Sequence, residues 1–128
     1  MKLLLDTHTL LWWAAGVETL SAKARDPILD ESNVIFVSAA SAWEIATKHR
    51  LGKLPQAAPI VADIEAAIAE EGFLPLPISL HHGQAAGTLP PIHRDPFDRM
   101  LAAQALGESM ALVSNDRIFD AYGAVRLW

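Results

Sequence analysis

Residues 93–105 have the sequence HRDPFDRMLAAQA, which predicts a loop that turns directly into a helix. Pro96 suits the first helical position because its φ is fixed near a helical value and it has no N–H to lose, and Asp95 stands before it as the cap. Asp98 falls on the first turn, where the positive end of the helix dipole favours a carboxylate. Taken alone, these residues favour a purely structural interpretation, in which Asp95 is a helix cap and Asp98 a favourable first-turn acid.

Short apolar runs alternate with helical segments along the chain. Strands are predicted at residues 2–6, 33–38, 73–77, 110–114 and 125–128, with 73–77 placed at a sheet edge because prolines bound it. Helices are predicted at residues 9–16, 21–32, 39–52, 59–72, 79–88, 96–105 and 118–123. This alternation predicts an α/β fold with a central parallel sheet, helices on both faces and right-handed crossovers. Residues 1–128 are expected to form a single domain.

The composition limits the classes of function. Hydrophobic residues make up 52% of the 128 residues, which argues against disorder, while no apolar run approaches the roughly 20 residues of a membrane span. The start of the chain carries one lysine and an early acid, Asp6, which is unlike a signal peptide and leads us to expect a cytoplasmic protein. The absence of cysteine excludes disulfides and thiolate metal sites. A net charge of −5 means that a polyanionic substrate would need a divalent cation to offset the acidity.

Four acids have placements that can bring them together. Asp6 and Asp116 follow predicted strands, and Glu44 lies just past the strand that ends near Ser38. Because the carboxyl ends of parallel strands share one edge of the sheet, where ligands bind in open α/β folds, these three acids should approach one another. Asp98 joins them if its helix begins at the same edge.

Two of these acids also have purely structural interpretations. Asp6 could be an ordinary helix N-cap. Glu44 could form a capping box with Ser41, or pair with Lys48 one turn along the helix.

Clustered carboxylates would be costly without a cation. Two carboxylates about 4 Å apart repel by roughly 4 kcal/mol at an effective dielectric constant of 20. Such a group either raises its own pKa values or binds metal, and oxygen-only ligation suits Mg²⁺ or Mn²⁺. A site of this kind carries out metal-assisted hydrolysis of phosphodiesters.

The chain resembles the PIN-domain ribonucleases, and specifically the VapC-type toxins of prokaryotic toxin–antitoxin pairs. The resemblance covers nearly the whole length, through the following motifs: Leu5-Asp6-Thr7-His8, Ser41-Ala42-Trp43-Glu44-Ile45 with Lys48, Gly52-Lys53-Leu54, residues 93–99 and Ser114-Asn115-Asp116. It implies a three-layer α/β/α fold and a Mg²⁺- or Mn²⁺-dependent endoribonuclease. It maps the catalytic and metal-binding acids onto Asp6, Glu44, Asp98 and the more variable Asp116.

The resemblance also implies how these residues and partners act. Water would attack phosphorus in line, leaving a 3′-hydroxyl and a 5′-phosphate, with Thr7 and Ser114 orienting it through their hydroxyls. The implied partners are an RNA substrate, a second copy of the chain in a homodimer, and a cognate VapB-like antitoxin. Candidates for contacts with the phosphate backbone are Lys48, Lys53, Arg94, Arg99 and Arg117.

Other interpretations remain open at this point. The chain could be a catalytically weak PIN domain that mainly binds RNA or protein. A haloacid-dehalogenase-like phosphatase would have Asp-x-Asp at the first strand, whereas Asp6 is followed by Thr7-His8. A receiver domain would have an acceptor Asp after a middle strand and a late Lys, and neither is in place. The adjacent His81 and His82 are expected to be surface or loop-packing residues, because neighbouring residues of a helix point in different directions.

Overall fold

The computed structural model describes residues 1–16 and 18–128, and its centre is a five-stranded sheet in which every pair of neighbours is parallel. The strand order is β3-β2-β1-β4-β5. The strands are β1 (Lys2–Leu5), β2 (Val34–Ser38), β3 (Leu74–Leu76), β4 (Ala111–Val113) and β5 (Arg126–Leu127). The predicted parallel sheet is confirmed, and β3, which contains Pro75 and is followed by Pro77, lies at an edge, as expected.

The register of the three inner strands decides where the site lies. Leu5 of β1 pairs with Val37 of β2 and also with Val113 of β4. The three strands therefore run level at their carboxyl ends, and the next residues share that edge of the sheet: Asp6, Ser38 and Ser114.

Helices connect the strands. They are α1 (Thr7–Ala15), α2 (Ala22–Leu29), α3 (Ala39–Arg50), α4 (Ala58–Val61), α5 (Ile64–Glu70), α6 (Leu80–Thr88) and α7 (Pro96–Gly107), with 3-10 helices at Pro55–Ala57 and Arg117–Tyr122. The continuous helix predicted over residues 59–72 is wrong, because the chain breaks between α4 and α5. Asp63 starts α5 by accepting a hydrogen bond from the N–H of Ala66 at 3.0 Å, which is the local bonding that favours Asp at helix starts.

The apolar core lies on both faces of the sheet. Leu3 and Leu5 point into one cluster, while Leu4, between them, points into the other, as alternation along a strand requires. Ile45 of α3 packs in the first cluster and Leu101 of α7 in the second. The helices that carry Glu44 and Asp98 therefore approach the carboxyl edge from opposite faces, which gives the predicted three-layer arrangement. Over the described residues, no helix is long and apolar enough to cross a membrane.

Candidate active site

Asp6 lies at the carboxyl edge of the central strand and is both a helix cap and a buried acid. Its Oδ1 accepts a hydrogen bond from the N–H of Thr9 at 2.8 Å, so the N-cap interpretation is correct. The side chain is also almost fully buried, and this burial raises its pKa above the usual value, although hydrogen bonds from Ser114 and Thr9 oppose the rise. A helix cap does not require burial, so capping alone does not explain why the Asp6 carboxyl is buried with a raised pKa.

Glu44 reaches the same edge from the second turn of α3, which begins at the N-cap Ser38. Its carboxyl is buried and accepts a hydrogen bond from Thr7 Oγ1, 2.6 Å from Oε1. Its other oxygen, Oε2, pairs with the ammonium of Lys48. The interpretation as an i,i+4 ion pair is therefore correct, and Ser41 is not the helix cap.

Asp98 lies on the first turn of α7, as the sequence predicts. Asp95 caps this helix by accepting hydrogen bonds from the N–H groups of Phe97 (2.8 Å) and Asp98 (3.1 Å), and Pro96 is the first helical residue. Burial raises the pKa of Asp98 to about 6, and the negative charges of Asp95 and Glu44 add to this rise. The contribution of Glu44 shows that the acids of α3 and α7 lie within electrostatic range of each other.

A histidine is paired with Asp98. Nε2 of His93 lies 2.9 Å from Oδ2 of Asp98 and partly opposes the rise in the pKa of that carboxyl. Sequence analysis did not place His93 in the site, although a histidine five residues before a candidate metal-binding acid was a signal that could have found it.

Lys48 supplies positive charge to this group of acids. Its pKa is raised, first by the hydrogen bond to Glu44 and then by the charges of Glu44, Asp95 and Asp98. Lys48 is thus a counter-ion of the acidic edge in this structure, and no phosphate contact is needed to explain its position.

Asp116 lies at the periphery of the edge. It is exposed, and its Oδ1 accepts a hydrogen bond from the N–H of Ile118 at 3.0 Å, which caps the last 3-10 helix. Its own N–H donates to Ser114 Oγ at 3.0 Å, and Ser114 is also a hydrogen-bond partner of Asp6. The buried Ser114 hydroxyl therefore connects the two acids.

The donors at this edge suit a hard divalent cation. Among the described residues, the group of three potential ligand atoms lying within 4.8 Å of one another comes from His93, Asp95 and Asp98. Asp6 and Glu44 lie at the same edge but are not part of that group of three. Their oxygens accept hydrogen bonds from Thr9, Thr7 and Lys48. Carboxylate oxygens with at most one imidazole form a donor set that fits Mg²⁺ or Mn²⁺.

Arg99 is not available for a phosphate, contrary to its candidacy in the sequence analysis. Its guanidinium donates to the carbonyls of Ala86 (2.8 Å), Leu89 (2.8 Å), Pro90 (3.0 Å) and His93 (3.2 Å). It ties the loop before α7 to the first turn of that helix, which holds His93 opposite Asp98. The remaining basic candidates are exposed: Lys53, Arg94 and Arg117.

A second buried polar group lies near the same helices, and it corrects the expectation for His82. His82 is buried, with Nε2 2.8 Å from Oε1 of Glu108, and Nδ1 accepts the N–H of Ser79 at 3.1 Å. The side-chain amide of Gln104 lies 3.3 Å from the same Nδ1 and accepts the hydroxyl of Ser38 at 2.5 Å. We call Ser38, His82 and Gln104 the neutral network. Of the two adjacent histidines, His81 is the exposed one, as expected.

Comparison with known proteins places this geometry in a family. A model of the PIN domain matches residues 3–125. Ribonuclease VapC22 of Mycobacterium tuberculosis is 30% identical over 115 residues, which is 89% of this chain and 86% of that protein. Ribonuclease VapC16 of the same organism is 40% identical over 60 residues, which is 47% of this chain and only 43% of that protein.

Two solved structures share the fold. One is VapBC2 from Rickettsia felis bound to a DNA fragment from their promoter, with a TM-score of 0.72, 14% identity, and coverage of 98% of this chain and 97% of that one. The other is FitAcB from Neisseria gonorrhoeae, with a TM-score of 0.66, 18% identity, and coverage of 97% and 95%.

Proposed function

Because the chain belongs to the PIN domain family, and within it to the VapC ribonucleases, we propose that it is a divalent-metal-dependent endoribonuclease that acts as the toxin of a toxin–antitoxin pair. The observation that supports this most directly is that Asp6 and Glu44 are buried at one sheet edge and that Glu44 lies close enough to Asp98 to contribute to the rise of its pKa to about 6. Strongly shifted carboxyls in a group are typical of sites that bind cations or move protons.

We assign metal binding and catalysis to Asp6, Glu44, Asp98 and Asp116. When Mg²⁺ or Mn²⁺ is bound, it lowers the pKa of an attacking water and neutralises charge on the phosphate oxygens. Asp6 is held in place by Thr9 and Ser114, so its carboxyl has little freedom to turn away from the edge. Asp98 is oriented by His93 in the same way.

Lys48 and Thr7 position Glu44 between them. In the structure, the hydroxyl of Thr7 holds one oxygen of Glu44 and the ammonium of Lys48 holds the other. Glu44 would be one of the residues that hold a divalent cation, and Lys48 would then be free to contact a substrate phosphate at the edge. Basic residues near the edge are needed for an anionic substrate because the chain carries a net charge of −5.

The partners and context belong to the same proposal. The substrate is RNA, the inhibitor is a VapB-like antitoxin, and the toxin is a homodimer of chains whose residues 1–128 form a single PIN domain. Two relatives are named ribonucleases, and one structural neighbour is a VapBC assembly, which is consistent with these roles. A ribonuclease that acts on cellular RNA meets it in the cytoplasm, which is where we place this protein.

The test uses antitoxin-free protein and total RNA with Mn²⁺, Mg²⁺ or EDTA. We expect discrete fragments that require metal and disappear in Asp98→Asn. Asp63→Asn is the matched control, because Asp63 caps α5 away from the edge and Asn caps helices equally well. Metal-independent cutting, or cutting that survives in Asp98→Asn, would contradict the proposal. If wild-type protein binds RNA without cutting it under any metal, the alternative of a binding module is correct.

A further inference from the structure

An exposed indole lies beside the acidic edge. Trp43 precedes Glu44 on α3, yet 63% of its surface is accessible, whereas Glu44 is only 5% exposed. The ring of Trp43 packs edge-on against the ring of Phe97, with centroids 5.0 Å apart and planes at 75°. Phe97 in turn precedes Asp98. The two aromatic rings are therefore each one residue away from a candidate metal-binding acid.

The aromatic pair forms one wall of a cleft of about 320 Å³. The cleft lies between α3, α6 and α7, and its lining includes Ala40, Trp43, Ile78, Arg94, Phe97 and Met100. The walls are mainly apolar, and the exposed guanidinium of Arg94 stands at the side. Arg99 also lines the cleft, but its donors are directed to backbone carbonyls.

One residue of the cleft lining, Phe97, lies near a residue of the acidic edge. Nζ of Lys48, which pairs with Glu44, lies 5.9 Å from the centroid of the Phe97 ring. Phe97 thus lies near both Trp43 and Lys48, the counter-ion of Glu44.

We propose that this cleft holds one unpaired base of an RNA strand whose adjoining phosphate lies at the acidic edge. Trp43 is the stacking surface and Arg94 the partner of the sugar-phosphate backbone. The inference rests on the proposed function, and it adds the place where a base of the substrate binds and the residues that hold it.

Size and chemistry favour a base over a protein segment. A volume of about 320 Å³ is at the lower end of the roughly 300–1,000 Å³ of small-molecule sites, which suits one planar ring system. Aromatic stacking combined with a neighbouring arginine is the usual way in which proteins hold single-stranded nucleic acid. Because every base has a π-face, stacking on Trp43 would select unpaired nucleotides with little preference for sequence.

The test compares wild-type protein with Trp43→Ala, Trp43→Phe and Leu29→Ala. Leu29 is a matched control, since it is 59% exposed and lies outside the cleft lining. With a single-stranded oligonucleotide as substrate, Trp43→Ala should raise KM by roughly 10- to 100-fold and change kcat little, since one stacked base is lost. Trp43→Phe should recover most of the loss, and Mn²⁺ affinity should be the same in all four proteins.

Abasic substrates make the test specific. An abasic nucleotide at one position beside the cleavage site should weaken binding to wild-type protein and have no further effect on Trp43→Ala. If every abasic position affects both proteins equally, Trp43 does not stack on a base and the inference is wrong. If Trp43→Ala leaves RNA binding unchanged and weakens only antitoxin binding, the cleft is a protein-docking surface and the inference is again wrong.

Binding by fluorescence anisotropy in EDTA separates this inference from the proposed function. Protein that does not cut RNA, but binds it in a way that depends on Trp43, would contradict the proposed function and support the cleft. If Trp43→Ala cuts RNA as well as the wild-type protein, the proposed function is supported and the inference about the cleft is wrong.

Discussion

Two groups of buried polar side chains lie close to helices α3 and α7, and they are built on opposite principles. In the neutral network, few charges are involved: the Ser38 hydroxyl donates to Gln104, and the Gln104 amide is within reach of both His82 and the carbonyl of Pro77. The one carboxylate partner is Glu108, which pairs with the other ring nitrogen of His82. At the acidic edge, burial raises the pKa values of Asp6 and Asp98, and the negative charges of Asp95 and Glu44 add to the rise at Asp98.

This difference between the two groups indicates that the neutral network serves stability and the acidic edge serves function. No buried side-chain nitrogen or oxygen among the described residues lacks a hydrogen-bond partner, so both groups are satisfied in that sense. Only the acidic edge retains unfavourable charge, which a protein keeps when the charge has a use. We therefore expect substitutions in the neutral network to lower stability, and substitution of Asp98 at the acidic edge to remove activity at no cost in stability.

The largest expected effect is that of Asp98→Asn on activity. The substitution should lower kcat on the order of 10³-fold, because several kcal/mol of transition-state stabilisation are lost. It should also stabilise the metal-free protein at neutral pH by about 2 kcal/mol, because an ionised carboxyl with a raised pKa destabilises the fold. Cleavage of labelled RNA and urea unfolding measure the two effects. A variant that loses both activity and stability would show that Asp98 is structural.

Gln104→Leu should have the opposite profile. It removes the partner of the Ser38 hydroxyl and leaves a buried polar group unsatisfied, which should cost about 3 kcal/mol of unfolding free energy. Cleavage by the folded protein should fall by less than tenfold, since Gln104 does not touch the acids. Gln84→Leu, on the exposed surface of α6, is the control and should change stability little. Loss of activity without loss of stability would reverse our assignment of the two groups.

The pH dependence of the metal-free protein should come from the acidic edge. Asp98 has a folded-state pKa of about 6 and an ordinary value near 3.8, so the folded state binds more protons between these values. Stability should therefore fall as pH rises from about 4 to about 6, by about 2 kcal/mol, and Asp98→Asn should remove this part of the slope. Unfolding in urea at each pH, with EDTA present, gives the comparison. A wild-type profile that rises over this range would contradict the raised pKa.

The same pKa sets the affinity for a cation. At pH 5, one unit below the pKa of Asp98, about a tenth of its carboxyls are ionised, so Mn²⁺ should bind roughly tenfold more weakly than at pH 7.5. Isothermal titration calorimetry measures both affinities. Equal affinities at the two pH values would mean that Asp98 is not a ligand.

Sequence patterns were sufficient for the parts of the molecule that depend on neighbouring residues. The alternation of apolar runs and helices predicts the parallel sheet, and Asp95-Pro96 predicts the start of α7, because both depend on local propensity. The parallel topology then predicts that Asp6 and the start of α3 share an edge. The break between α4 and α5 was missed, since a capping interaction at Asp63 outweighs the helical spacing of the isoleucines.

The remaining errors involve long-range contacts. Arg99 is a surface cation in the sequence, and only the return of residues 86–93 shows that backbone carbonyls surround it. The burial of His82 depends on Gln104, which is 22 residues away. The pairing of His93 with Asp98 depends on the loop that Arg99 holds. Neither periodicity nor spacing contains this information.

The smallest expected effect, at Lys48, tests whether the edge is poised for a cation. In the structure, the Lys48 ammonium occupies one oxygen of Glu44 and must leave before a metal can take that oxygen. Lys48→Met keeps the length of the side chain and removes this competitor, so Mn²⁺ should bind a few-fold more tightly. Because Glu44 is buried, loss of its Lys48 counter-ion should lower the stability of the metal-free protein by about 1 to 3 kcal/mol. Lys23→Met, on the exposed side of α2, is the control for the change in net charge. Weaker Mn²⁺ binding in Lys48→Met alone would show that the ammonium holds Glu44 in place for the metal and does not compete with it.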